Sequence, residues 1–316
     1  MALYRTYSDY LKEKYNEKVY KIPIALPVTC PNRDGTLDSD GCIFCGSIRA
    51  DYETKAVGMA ITRQIDRSIS HVGPKYKAKK FIAYFLNFTN TYMPLSRFRY
   101  CVGEACGHPD IVGLAVSTRP DCIHESYLEA LREAQGKYGT NITVELGLQS
   151  VNPHTLLKIG RCHTVAEFID AALQIGRYHF DLCAHIIADL PWDDRIDVEE
   201  AAKLVSVLPV TEIKIHSLYI IKGTKLAKMY EKGDIKLLPP EEYAERVVLI
   251  LSMLRPDIVV QRIVGRASAN TLSVNGGRPW WEVKEYIEKL MRNRHIQQGS
   301  ACNYLHGSAV RRFLHE

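Results

Sequence analysis

Short apolar runs rich in β-branched residues alternate along this chain with stretches of helical spacing, and this alternation constrains the fold most. Six runs predict strands, at 21–27, 80–86, 111–118, 142–149, 180–190 and 212–219. Apolar residues recur with helical spacing between them, at 60–72, 125–135, 164–178 and 198–208. A helix between successive strands allows those strands to run parallel, so the pattern predicts a parallel sheet.

Six such units in one series predict an α/β barrel or part-barrel with a single core, and an open doubly wound sheet is the competing architecture. No Gly/Ser-rich linker, low-complexity segment or repeat divides the sequence. Two further helices are predicted at 241–254 and 281–294, with a short strand at 257–263. We therefore expect a core over residues 1–238 and a C-terminal extension over 239–316 that packs on the barrel.

Composition excludes several classes of protein. Apolar residues make up 46% and charged residues 24% of the 316 residues, which is typical of a globular protein and not of a disordered one. The longest apolar runs, such as 247–254, are too short to span a bilayer, and the N-terminus lacks the apolar region of a signal peptide. We expect a cytoplasmic protein with no membrane partner. The net charge of +5 is compatible with a nucleic-acid partner but does not identify one.

Three cysteines lie in one loop that follows the first predicted strand. Cys30, Cys42 and Cys45 stand in the run TCPNRDGTLDSDGCIFCGS, whose Gly, Asp, Asn and Pro residues indicate a loop, placed here at 28–58. Parallel barrels carry their active sites at this end of the strands. Closed zinc sites and ordinary cubane clusters take four protein ligands, so three cysteines suggest a cluster with one iron open to a small chelating molecule. A zinc site completed by a histidine is the alternative.

The cysteine loop and seven later segments carry a family resemblance. The loop CPNRDGTLDSDGCIFC resembles the cluster loop of radical SAM enzymes. The later segments resemble, in order, the blocks of the bacterial YhcC/YtqA-type group, which is similar to the radical SAM domain of the Elongator catalytic subunit and to MnmL-like tRNA-modifying enzymes. The later segments are YFLNFTNTYMPL, GLAVSTRPDCI, VELGLQSVNPHTL, IGRCHT, AHIIADLP, IKIHSLYIIKGTKLAKMYE and KLLPPEEY.

The resemblance implies a fold, two cofactors and a reaction. The implied fold is a partial (β/α)6 barrel of the TIM type with a helical C-terminal extension. The implied cofactors are a [4Fe–4S] cluster on the three cysteines and S-adenosylmethionine (SAM), whose methionine part chelates the fourth iron. Reduction would cleave the sulfonium to methionine and a 5′-deoxyadenosyl radical, so the cofactors would carry the difficult chemistry. An electron donor such as flavodoxin or ferredoxin is then expected.

The SAM-binding residues are expected at the ends of the strands. The family places an aromatic residue at Phe44 against the adenine, and an arginine that meets the SAM carboxylate at Arg161, where a guanidinium can make a two-point contact. His185 lies in a family block, and a buried histidine satisfied by a neighbour is its alternative role. Glu145 and Gln149 share one face of a strand and suit the ribose hydroxyls or the amine.

Two polar segments complete the predicted SAM site. The segment FTNTY resembles the one that receives the methionine amine, and Thr89, Asn90 and Thr91 offer oxygens to that ammonium. Thr118, with Ser117 and Arg119 beside it, ends the third strand. A capping role in a turn is the alternative for that segment.

The resemblance also implies a substrate. Relatives in the YtqA branch act on tRNA and convert the carboxymethylaminomethyl group of the wobble uridine into aminomethyl. Cations in 75–80, 292–295 and 310–313 and the aromatic pair Trp280 and Trp281 give general support for RNA. The candidate substrate contacts are Tyr92, Lys214, His216, Tyr219, Lys222 and Arg262. The competing functions are a radical SAM enzyme acting on a small metabolite or peptide, and a zinc-binding structural or regulatory protein.

Three departures from the family pattern concern the substrate. Leu86 replaces a usual glutamine, DLPWDD replaces a glycine-rich block, and VGRASA, with Arg266, replaces an acidic one. The other six cysteines have no predicted role, although Cys101 and Cys106 leave a second metal site open as an alternative.

Overall fold

The structure is a computed structural model that describes residues 2–46, 58–266 and 270–313. Residues 47–57 of the predicted cluster loop lie outside the described residues, as do 267–269 of the VGRASA segment and the side chains of 311–312 in the basic C-terminal stretch.

Among the described residues, seven parallel strands form the main sheet, one more than the six predicted for the barrel. In sheet order these are β1 (Val19–Ile24), β2 (Lys80–Phe85), β3 (Ile111–Thr118), β4 (Asn141–Gln149), β5 (Asp181–Ile187), β6 (Glu212–His216) and β8 (Val259–Arg262). Two short strands pair antiparallel beside it, β7 (Ile220–Ile221) and β9 (Thr271–Ser273). Because the strands of the main sheet follow one another in chain order, the sheet has no reversal of strand order, and the doubly wound alternative is excluded.

Ten α-helices occur in the described chain, and they include all six that the sequence predicts. They are α1 (Tyr7–Tyr15), α2 (Ile61–Tyr76), α3 (Leu95–Cys106), α4 (Glu125–Tyr138), α5 (Pro153–Lys158), α6 (Val165–Arg177), α7 (Arg195–Val207), α8 (Lys225–Lys232), α9 (Pro240–Met253) and α10 (Trp280–Asn293). Short 3₁₀ turns occupy Pro120–Cys122, Asn275–Gly277 and Ser308–Phe313. Helices α1, α3, α5 and α8 were not predicted.

Helix α6 shows how the sequence forms these elements. Thr164 and Glu167 form a reciprocal capping box that satisfies the first free N–H groups of the helix. Phe168 and Ile175 recur on one face and are fully buried in the core. Helix α7 begins in the same way, with a capping box between Asp194 and Asp197.

Strand β1 ends three residues earlier than predicted. Beyond its end, side-chain amides replace the backbone of the neighbouring strand as hydrogen-bond partners. The N–H of Ala25 donates to Gln64 Oε1 at 2.9 Å, and the N–H of Leu26 donates to Asn87 Oδ1 at 2.9 Å. Both amide groups donate in return to the carbonyls of the same two residues. The backbone therefore stays satisfied while it leaves the sheet and enters the cysteine loop.

The sheet curls into a half-barrel, which side-chain contacts inside it demonstrate. Lys21 of β1, Tyr84 of β2 and Lys214 of β6 all reach the carboxylate of Glu145 on β4. In a flat sheet β1 and β6 would lie about 24 Å apart at about 4.8 Å per strand. Lys21 also donates to Gln261 of β8 at 3.3 Å, so the two edge strands of the sheet approach within side-chain reach. The predicted partial barrel is confirmed.

Residues after 238 join the barrel as well as covering it. Strand β8 pairs in parallel with β6 and extends the sheet, while α9 packs against α7 and α10. The N-terminal segment meets the same edge, since the N–H of Val260 donates to the carbonyl of Arg5 at 2.8 Å. Within the described ranges, no helix is long and apolar enough to pass through a bilayer.

Candidate functional site

A cavity of ≈ 400 Å³ opens at the C-terminal ends of the barrel strands. The cysteine loop after β1 forms one side of it, and residues at the ends of the other six strands of the sheet complete the wall. Phe88 and Gln149 on this wall have positive φ angles of 46° and 71°, a backbone conformation that is unfavourable for residues with a Cβ. Strained residues of this kind cluster at functional sites.

The three loop cysteines all reach this cavity as free thiols. Cys30 and Cys42 are buried and Cys45 is half-buried. Polar hydrogens point at their sulfurs. Asn32 Nδ2 lies 3.6 Å from Cys42 Sγ, and Arg33 Nη1 lies 3.5 Å from Cys45 Sγ. These donors would stabilise thiolate charge, which is the form in which cysteine binds a metal.

Arg161 contacts the cysteine side of the cavity. Its Nη1 lies 3.7 Å from Cys42 Sγ, and its Nη2 donates to the carbonyl of Gly147 at 3.0 Å. Its Nε donates to Nε2 of His163 at 2.8 Å. Burial, followed by the charge of Arg161, lowers the pKa of His163 to about 3, so the imidazole is neutral at pH 7 and can accept this hydrogen bond.

Arg119 is a second buried arginine on the wall. Its Nε and Nη2 donate to the two oxygens of Asp121 at 2.8 and 2.7 Å, and Nη2 also donates to the carbonyl of Arg161 at 2.9 Å. Burial opposes the charge of Arg119, but Asp121, and then Cys30 and Cys42, raise its pKa above the usual value. The side chain is 2% exposed, and its Nη1 has no hydrogen-bond partner among the described residues.

Most of the residues predicted to bind SAM lie on the cavity wall. They are Phe44, Thr89, Thr118, Gln149, Arg161 and His185. Asn90 and Thr91 lie behind the wall. The amide of Asn90 donates to the carbonyls of Phe85, Asn87 and Ser117, and the hydroxyl of Thr91 bonds to that of Thr118 at 2.6 Å. They therefore support the wall, and their predicted contact with an ammonium stays a prediction.

Glu145 lies beneath the cavity, where both of its oxygens are engaged. Oε1 accepts from Lys21, while Oε2 accepts from the hydroxyl of Tyr84 at 2.7 Å, from His185 at 2.8 Å and from Lys214. Burial opposes its ionisation, but the two lysines and His185 hold its pKa well below the usual range. The predicted contact of Glu145 with SAM has no support in this arrangement and stays a prediction.

The ligand atoms of Glu145, Cys183 and His185 lie within 4.8 Å of one another, which is the spacing of a metal site. Two ammonium groups already contact the carboxylate, and burial raises the pKa of the Cys183 thiol well above its usual value. A cation would meet two positive charges and a neutral thiol there. The cluster is therefore a buried ion-pair network rather than a second metal centre.

The part of the cavity wall formed by the ends of β6 and β8 and the residues that follow them is rich in basic residues and is called the cationic side here. Among the predicted substrate residues, Lys214, His216, Tyr219 and Arg262 line it. Burial, followed by His185 and Arg262, lowers the pKa of His216 well below 6.5, so this ring is neutral. Arg266 lines the same side, and its guanidinium lies 4.3 Å from the centre of the Trp280 ring.

Two predicted substrate residues lie off the wall. Tyr92 shares a hydrogen bond of 2.8 Å with the hydroxyl of Thr36 in the cysteine loop. Lys222 is exposed, and its N–H donates to the carbonyl of Asn270 at 3.0 Å. Their predicted roles stay untested.

Sequence reasoning missed several residues of the cavity. Asn32 and Arg33 lie two and three residues after the first cysteine, and their amide and guanidinium groups were the available signal. Nothing in the sequence distinguished Tyr84, because a tyrosine within an apolar run is typical of a strand. Trp281 was named as a stacking candidate, but it is absent from the described wall and is 56% exposed.

Three of the other cysteines lie on a helix and a strand of the barrel. Cys101 and Cys106 are buried on α3, where burial raises the pKa of both thiols. Neither belongs to a group of metal-ligand atoms in the described part of the chain. Cys183 is fully buried on β5, as expected for a small apolar residue.

Comparison with known proteins agrees with this geometry. The chain matches the family described as the Radical_SAM C-terminal domain over residues 210–293. It is 35% identical over 301 residues to YtqA of Bacillus subtilis, covering 94% of this chain and 92% of that protein. It is 30% identical over 301 residues to YhcC of Escherichia coli K12, with 92% and 93% covered. Among solved structures, archaeal Elp3 of Methanocaldococcus infernus shares the fold with a TM-score of 0.61 at 18% identity, over 89% of this chain and 64% of that one.

Proposed function

This chain belongs to the radical SAM family that contains YtqA and YhcC, and we propose that it modifies tRNA with a [4Fe–4S] cluster and SAM bound in the cavity described above. The proposed reaction converts the carboxymethylaminomethyl group of a wobble uridine into aminomethyl. Hydrogen abstraction beside the amine and loss of a second electron would oxidise that carbon, and water would then release the two carboxymethyl carbons as glyoxylate, with SAM as the net two-electron oxidant. The observation that carries the proposal is the composition of one wall, which joins three free cysteines to a strongly cationic side.

The cysteine side suits an iron–sulfur cluster better than closed zinc. Cys30, Cys42 and Cys45 are its thiol ligands, and no fourth cysteine lines the cavity among the residues the structure describes. Donors from Asn32 and Arg33 already face two of the sulfurs. Three thiolates leave one iron of a cubane cluster without a protein ligand, whereas structural zinc closes with four.

The strand ends beside the cysteines supply partners for SAM. Arg161 presents a guanidinium beside Cys42, where the carboxylate of a molecule held at the cluster would meet it. Gln149 and Thr118 offer an amide and a hydroxyl from neighbouring strand ends, and Phe44 offers an apolar surface between two of the cysteines. When bound, the cluster and SAM supply reductive cleavage of the sulfonium and hydrogen abstraction from the substrate.

The cationic side favours an anionic substrate. Arg262 and Arg266 line it, and the described wall contains no carboxylate to neutralise them, whereas the charge of Lys214 is paired with Glu145 beneath the cavity. Tyr219 adds a ring that could stack on a base. RNA offers both phosphates and bases, so this side of the cavity supports a tRNA substrate over a neutral metabolite.

Anaerobic incubation of the reconstituted protein with tRNA, SAM and a reductant tests the proposal, with nucleosides read by mass spectrometry. We expect loss of carboxymethylaminomethyl uridine with gain of aminomethyl uridine. Cys42→Ala is the control, since two thiolates should not hold the cluster. Formation of 5′-deoxyadenosine without any change in tRNA would reject the substrate and favour a metabolite or peptide. Bound zinc without iron would reject the radical chemistry as well.

A further inference from the structure

Arg119 is fixed in position before any cofactor binds. Asp121 accepts two hydrogen bonds from it, at 2.8 and 2.7 Å, and the carbonyl of Arg161 accepts a third at 2.9 Å. These contacts use Nε and Nη2 and set the plane of the guanidinium. The side chain is 2% exposed, so it has little freedom to turn away.

The remaining nitrogen, Nη1, is left without a partner. It is buried, and no acceptor for it occurs in the parts of the chain that are described, although Arg119 lines the cavity. A buried donor without an acceptor is destabilising, so an acceptor is expected when the cavity is filled. The carbonyl of Arg161 that accepts from Arg119 also accepts from Asn32 Nδ2 at 3.2 Å, and this nitrogen lies 3.6 Å from Cys42 Sγ, so the guanidinium lies beside the cysteine loop. The acceptor is therefore an anion held on the cysteine side.

We propose that Arg119 donates through Nη1 to a sulfur of the iron–sulfur cluster, and that this contact makes the cluster easier to reduce. The inference rests on the proposed function only in requiring the cluster. One-electron reduction adds a negative charge to the cluster, and a fixed guanidinium stabilises that charge by a charge-assisted hydrogen bond. Hydrogen bonds to the sulfurs and net charge are the factors by which proteins tune such potentials.

Asp121 should shift the reduction potential of the cluster in the opposite direction to Arg119. Its carboxylate is held against the guanidinium and partly cancels the positive charge that the cluster experiences. Asp121→Asn would remove this negative charge and keep a hydrogen-bond acceptor for Arg119. The two substitutions should therefore shift the reduction potential in opposite directions, which a loss of local structure would not do.

The test measures the cluster potential in the absence of SAM, by redox titration monitored by electron paramagnetic resonance. Wild type is compared with Arg119→Gln and Asp121→Asn after anaerobic reconstitution and iron analysis. We expect the reduction potential of the cluster in Arg119→Gln to be about 59 mV lower than in wild type. For one electron this corresponds to a tenfold change in the equilibrium constant for reduction. We expect Asp121→Asn to move the potential upward. Arg246→Gln, which removes a buried arginine on α9, is the matched control and should leave the potential unchanged.

A second arm separates the cluster from SAM as the acceptor. If Nη1 instead met the SAM carboxylate, Arg119→Gln would weaken SAM binding to the oxidised cluster protein at an unchanged potential, and that result would overturn the inference. Equal potentials in all variants, or shifts of the same sign in both, would also overturn it. If Arg119→Gln fails to assemble the cluster, the Asp121→Asn arm decides by itself, and an unshifted potential there counts against the proposal. A wild-type protein that binds no cluster would instead reject the proposed function.

Discussion

Substituting Glu145 by glutamine tests the buried network under the cavity. The carboxylate is fully buried, and it neutralises the charges of Lys21 and Lys214, whose side chains are 15% and 9% exposed. Glutamine preserves the volume and an acceptor oxygen but leaves two buried ammonium groups without a counter-charge. Removing one partner of a buried ion pair costs about 3–5 kcal/mol, so we expect the free energy of unfolding at pH 7 to fall by about that amount.

The assay is urea unfolding of the metal-free protein at pH 7 under a thiol reductant, followed by circular dichroism and by tryptophan fluorescence. Coincident transitions justify reading a free energy from the curve. Glu133→Gln is the control, because Glu133 forms an exposed ion pair with Arg99 and should contribute less than about 1 kcal/mol. A loss at Glu145 no larger than at Glu133 would refute the account of the network.

The pH dependence of the free energy of unfolding provides an independent test of the stabilisation by Glu145. The folded state holds the pKa of Glu145 well below the 4.5 of an ordinary glutamate, mainly through Lys21 and Lys214, against the opposing effect of burial. The unfolded state then binds the proton more readily, so the stabilisation is complete above pH 4.5. It is lost as the pH falls through the lower folded pKa. The difference between wild type and Glu145→Gln should therefore shrink in acid.

Three further outcomes follow from the wall of the cavity. In Gly147→Ala a Cβ would lie 2.6 Å from Gln149 Nε2 and 2.7 Å from Arg161 Nη2. We expect little loss of stability, because these flexible side-chain ends can move away. Their displacement should weaken SAM binding, which a titration measures. Burial is the main cause that lowers the pKa of His185 to about 4. The contribution of His185 to stability should therefore decrease as the pH falls from 6.5 towards 4, and His185→Gln should remove that pH dependence in thermal melts. Arg262→Ala should weaken tRNA binding and reduce its salt dependence by about one phosphate contact, whereas an unchanged slope would place the RNA elsewhere.

The local elements were largely predictable because their signals are short-range. Strand β3 occupies the predicted 111–118, and α6 begins and ends within one residue of the predicted 164–178. The run at 180–190 continues three residues past the end of β5 because Ala188, Asp189 and Leu190 are buried, although they lie beyond the last register pair of β5 with β6. Burial alone does not distinguish a strand from a packed turn, so boundaries of this kind depend on tertiary contacts.

The chemistry of the site was predictable only in part. The spacing of Cys30, Cys42 and Cys45 identified a three-thiol loop, and the structure places all three on one wall. Arg119 reads from sequence as a turn residue, and its unpaired nitrogen appears only once Asp121 and the carbonyl of Arg161 are placed around it.

The sequence by itself determined the strand–helix alternation, the parallel sheet and the loop of three cysteines, since each depends on residue type and spacing over a few positions. Tertiary structure alone decided that Lys21 and Glu145, which are 124 residues apart, form an ion pair beneath the cavity. The physical reason is the curl of the sheet, which brings side chains of β1, β4 and β6 into a common interior where charges must be paired. Glu145 is therefore ion-paired inside the barrel, while Arg262 and Arg266 lie on the cavity wall.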